Sequence, residues 1–70
     1  MDYARKIRIL NLADNILEGI FLNSKMRDEI NDSIYEDVAE ELKDISYDQI
    51  YISNVEKAVV KILHSRITNK

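Results

Sequence analysis

Seventy residues with a formal net charge of −3, 46% apolar and 33% charged, have the composition of one folded domain rather than of a disordered chain. There is no cysteine, which excludes disulfide staples and thiolate metal sites. A domain this small must then be stabilised by very good helix packing or by a second subunit.

No segment approaches the ~18 uninterrupted apolar residues of a membrane span. The charged start, followed by Asn11, Asp14, Asn15 and Glu18, is unlike a secretory leader. Both features point to a soluble, cytoplasmic protein folded as a single helical domain over residues 1–70. Proline is absent and Gly19 is the one glycine, so the chain suits long helices and has little material for tight hairpins. The expected class is all-α, a small bundle of three main helices that forms a dimer.

The first helix is predicted over about 2–22. Tyr3, Ile7, Leu10, Leu17 and Phe21 fall on one seam, and Ile9, Ala13, Ile16 and Ile20 on a second beside it. Such a wide apolar face belongs to a helix that packs on two neighbours. Gly19 within it is either a point of close helix approach or simply tolerated. Asp14 is expected at a solvent edge of this face.

The second helix is predicted over about 24–45, broken near 31–33, with one curved helix whose contacts pass from neighbour to neighbour as the alternative. Its apolar row, Met26, Ile30, Ile34, Val38 and Leu42, advances in steps of four, which wind around a straight helix. Ser33-Ile34-Tyr35-Glu36 has the form of a capping box that would restart the helix. The same pattern recurs at Ser46-Tyr47-Asp48-Gln49 and at Ser53-Asn54-Val55-Glu56, the latter opening a last helix over about 53–67. That helix would bury Val55, Ala58, Val59, Ile62 and Leu63. Residues 46–52 suit either a helical turn or a short extended piece, and the tail from Thr68 is expected to fray.

Charge is unevenly placed: residues 28 to 48 hold nine acids and one base, Lys43. Flanking segments are mildly basic through Arg5, Lys6, Arg8, Lys25 and Arg27, and through Lys57, Lys61, Arg66 and Lys70. Asp28, Asp32, Glu36, Glu40 and Asp44 repeat every fourth residue on the side away from the apolar row. Acids at that spacing repel by a few tenths of a kcal/mol per pair. The run is therefore either a solvated face or a docking face for a basic partner.

Catalytic chemistry finds no foothold. His64 is the lone histidine, on the polar side of the last helix, and no serine stands in a nucleophile-elbow context. The acidic run lacks the glycine and alternating ligands of a calcium loop. Glu-x-x-His pairs and a phosphate-cradling glycine loop are also missing, so no metal or cofactor is expected. The expectation is a non-enzymatic helical regulator, either an inhibitor, an antitoxin-like partner or an adaptor. It would bind a basic protein through Asp32, Glu36, Asp37, Glu40, Glu41, Asp44, Tyr47 and Tyr51, and would pair with itself through surplus apolar surface on the first or last helix. The alternative is a small nucleic-acid-associated regulator using Arg5, Arg8, Lys57 and Lys61. Against it stand the acidic total and the lack of a helix-turn-helix glycine.

Overall fold

The computed structural model describes residues 3–68. Three helices, α1 (Tyr3–Leu17), α2 (Ser24–Glu41) and α3 (Ile52–Thr68), each pack on the other two, and no strand occurs among the described residues. A 3-10 turn, Tyr47–Gln49, lies between α2 and α3. The expected helix start at residue 2 and the tail beyond Thr68 lie outside the described residues.

The core is one cluster. Ile9, Ala13 and Leu17 come from α1, Ile34, Tyr35 and Val38 from α2, and Val55, Ala58 and Val59 from α3, with Leu42 and Ile50 from the connection. Burial along α1 follows the second of its two seams, carried on by Leu17. Ile7 and Leu10 on the first seam are half-buried, and Tyr3 is exposed.

The helices differ from expectation at the end of α1, at the end of α2, which stops at Glu41 rather than near residue 45, and in the continuity of α2. The first helix ends at Leu17, not near residue 22. Its closing turn is tightened by bonds from Gly19 N–H to the Ile16 carbonyl and from Ile20 N–H to the Leu17 carbonyl. Glu18 at a helix C-terminus opposes the macrodipole, and Gly19 is a weak helix former. Asn23, as N-cap of α2, must adopt an extended backbone (φ −80°, ψ 118°), so the chain has to leave the helix before it. Ile20 and Leu22 consequently project into solvent, Leu22 at 95% exposure. Gly19 is not a point of close approach, because a Cβ there would meet only the Ile16 carbonyl oxygen at an ordinary 3.5 Å.

The second correction concerns α2, which runs unbroken from Ser24 to Glu41. Its one side-chain cap is Asn23, whose Oδ1 accepts from Met26 N–H at 3.0 Å. Ser33 is instead an interior residue whose hydroxyl accepts from Arg66 at 2.8 Å. The four-residue row does wind, as helix geometry requires, and α2 follows it by changing what it buries. Met26 at one end is 47% exposed, Ile34, Val38 and Leu42 are buried, and Asn31 and Tyr35 fill the inward positions that the row leaves open. Asn31 is tolerated there because its Nδ2 donates to the Leu10 carbonyl at 2.9 Å.

The last helix begins at Ile52, with Asn54 Oδ1 accepting from the Tyr51 N–H at 3.0 Å. Asn54 thus supplies the back-reaching half of a capping box, the role that the sequence pattern gave to Glu56 around Ser53. Residues 46–52 combine both expected forms: the 3-10 turn, then Ile50 in extended backbone with its side chain fully buried.

Arginines hold the connections. Arg5 near the start of α1 donates to the carbonyls of Leu42 and Ile45, just past the end of α2. Arg8 donates to the Ile50 carbonyl at 2.9 Å. Arg27 in α2 donates to the carbonyls of Phe21 and Leu22 at 2.8 and 2.9 Å and lies 3.7 Å from Asp14. These contacts set α1 antiparallel to α2. Arg66 ties the end of α3 to α2 through Ser33 and Asp37.

Asn23→Ala should lower stability by about 1 kcal/mol, the usual worth of an N-cap. Ser33→Ala should change it by under about 0.5 kcal/mol, since alanine's helix propensity offsets one exposed hydrogen bond. Arg5→Ala, which removes two charge-assisted bonds from a part-buried loop, should cost on the order of 2 kcal/mol. Urea unfolding midpoints of the three variants check all of these.

Candidate functional site

The acids of α2 divide by helix geometry into three sets. With Ile34, Val38 and Leu42 inward, Glu29, Glu36 and Glu40 fall on the opposite, outward line. Asp28 and Asp32 lie toward α1, where they line a shallow groove with Leu10, Asn11, Asp14 and Asn31. Asp37 and Glu41 lie toward α3. There Asp37 meets Arg66 at 3.0 Å and Glu41 meets Lys61 at 3.0 Å.

The expected partner-binding residues are therefore not equivalent. Asp37 and Glu41 hold α3 to α2, and Glu40 is bonded at 2.8 Å to Lys43. That bond raises the Lys43 pKa, first through the hydrogen bond itself and then through the nearby negative charge. Asp32 and Glu36, with Asp28, Glu29 and Asp44, form no ion pair among the described residues. All five are exposed.

Tyr47 and Tyr51 are 44% and 54% exposed. Tyr47 turns toward α1, with the Arg8 guanidinium 5.4 Å from its ring centre, and it borders a groove with Tyr3, Ile7 and Leu12. Tyr35, the third tyrosine of the acid-rich segment, is a core residue with Lys6 Nζ 5.3 Å from its ring centre. Burial raises its pKa, the Glu36 carboxylate raises it further, and Arg5 partly opposes both.

Of the four residues expected to meet nucleic acid, Arg5 and Arg8 donate to the α2–α3 connection as described, and Lys61 is paired with Glu41. Lys57 is exposed one turn before Lys61 on α3. The sequence did not mark these arginines as clamps. A signal existed in the near absence of glycine and the lack of proline, which leaves helix ends in need of side-chain partners.

Asp14 sits at a half-exposed edge beside Arg27, whose Nε is buried without a hydrogen-bond acceptor. His64 is exposed on α3. Among the described residues no group of three or more His, Cys, Asp or Glu is placed to hold a metal ion, and no helix is long and apolar enough to cross a membrane. No family model, curated protein or solved structure matches the chain.

Tyr35 holds its proton more tightly when folded, so the stability it contributes is complete below pH about 10 and is lost as pH rises through the folded pKa. In an alkaline titration Tyr35→Phe should remove a phenolate absorbance step above pH about 10. The same substitution should lessen the fall of stability in that range.

Proposed function

We propose that the protein is a non-enzymatic cytoplasmic regulator that docks the outer face of α2 onto a basic surface of another protein, as an inhibitor, antitoxin-like partner or adaptor, and that it works as a homodimer. The observation that carries this reading is the division of charge around α2. Acids toward α3 are neutralised by Arg66 and Lys61, while Asp32 and Glu36, with Asp28, Glu29 and Asp44, have no basic partner among the described residues. Successive acids Asp28, Asp32, Glu36 and Glu40 stand four residues apart, each pair repelling. A basic partner relieves that repulsion on contact. It is also steered in by the exposed field, which speeds association at low salt.

Tyr51, half exposed beyond the end of α2, offers apolar area to a partner, whereas Tyr47 is turned toward α1. A nucleic-acid role draws little support from Arg5 and Arg8, whose guanidinium groups are engaged by main-chain carbonyls. If that role is absent, DNA and RNA show no mobility shift with the protein even at low salt, where phosphate contacts are strongest.

The direct test reverses the charge of Glu36, Glu40 and Asp44 together to lysine. Helical circular dichroism and the thermal midpoint should stay close to those of the parent protein. Capture of the basic partner that co-purifies from the native host should be lost. Undiminished capture by the triple variant overturns the proposal.

A further inference from the structure

The outward flank of α3 carries an apolar seam that the bundle does not cover. Ile52, Val60 and Ile67 are 51%, 53% and 72% exposed, and half-buried Leu63 lies between them. With Glu56 they form the series Ile52, Glu56, Val60, Leu63, Ile67, stepping by fours and a three along one side of the helix. That spacing is how one helix meets another lengthwise, each side chain entering a hole made by four residues of the facing helix. Val60 lines a shallow, open depression with Glu56, Lys57, Lys61 and His64.

We propose that this seam is the self-association surface of the protein, two copies joining α3 to α3 in antiparallel fashion about an axis through Val60. Charge decides both the occupant and its direction. A parallel pairing would set Glu56 against Glu56 and His64 against His64. The antiparallel pairing sets Glu56 against His64 of the second copy, twice over, and opposes the two helix dipoles. The same register brings Ile52 and Ile67 of opposite copies together and leaves Val60 against its own counterpart. The pairing rests on the homodimeric state proposed above and is independent of the docking of α2.

Area sets the strength. A standard interface covers roughly 800 Å² per partner, about a sixth of the 4935 Å² of this chain. One helix flank gives less, so the association is expected to be reversible and dependent on protein concentration.

Sedimentation equilibrium at pH 6 and low salt, over a wide range of protein concentration, tests the proposal. The parent protein should show a reversible monomer–dimer equilibrium, and Val60→Asp should remain monomeric with unchanged helical circular dichroism. Glu56→Lys should raise the dissociation constant about tenfold, and Glu56→Lys combined with His64→Glu should restore it. A Val60→Asp protein that dimerises like the parent overturns the α3 seam while leaving a dimer to be built elsewhere. Failure of the double variant to recover overturns the antiparallel arrangement. A parent protein that stays monomeric at every concentration overturns the dimer itself.

Discussion

The connections between helices carry main-chain carbonyls that no helix ladder satisfies, and arginines from the helices reach across to hold them. Among the described residues no backbone position has a positive φ, not even Gly19, so the common glycine-based closure of a helix is absent. The helix ends close on tightened backbone bonds instead, and guanidinium groups hold the carbonyls of the connections that follow. Arg5 serves Leu42 and Ile45, Arg8 serves Ile50, and Arg27 serves Phe21 and Leu22. Each such bond does two things at once: it satisfies a carbonyl and fixes where one helix stands against another. The planar fork of arginine, with several donors in fixed directions, allows one side chain to hold two carbonyls, which a lysine does poorly.

The charge pattern follows from this use of arginine. With the arginines turned to main chain or to Asp37, the chain's mobile cations are lysines, and two of them answer acids of α2 at Glu40 and Glu41. Of the remaining acids of α2, Glu29 and Glu36 stand outward and Asp28 and Asp32 line the groove toward α1. An acid-rich helix that would repel itself in isolation is tolerated because its inner face is locked into the core and its α3 edge is neutralised. The face that solvent or a partner meets is more strongly acidic than the net charge of −3 suggests.

The three helices, and most of the buried positions of α2 and α3, were legible in the sequence because apolar spacing reports the inward face directly. Capping patterns were less reliable, for a physical reason. Ser33-Ile34-Tyr35-Glu36 and Ser53-Asn54-Val55-Glu56 match the letters of a capping box, yet Ser33 lies inside α2 and Asn54, not Ser53, makes the cap of α3. Local letters compete with distant partners, and Arg66 is 33 residues from Ser33. Ile50 was equally hidden. Nothing in a loop sequence says that one isoleucine will be drawn fully into the core. The acids were legible as a run, but their sorting into an outward set and sets facing α1 and α3 needed the packing of α2 against its neighbours.

The groups that the arginines grip at the loops are carbonyl oxygens, which every amino acid carries. Side chains at the gripped positions can therefore change while the grip remains, so long as their packing is met. Phe21, Leu22, Leu42, Ile45 and Ile50 contribute to the clamps only through atoms common to all residues. The exposed gripped position Leu22 is therefore replaceable without loss of the clamp, whereas Leu42 and Ile50 are also held by the core. Part of what keeps the loops in place is stored outside them, in three arginines on two helices.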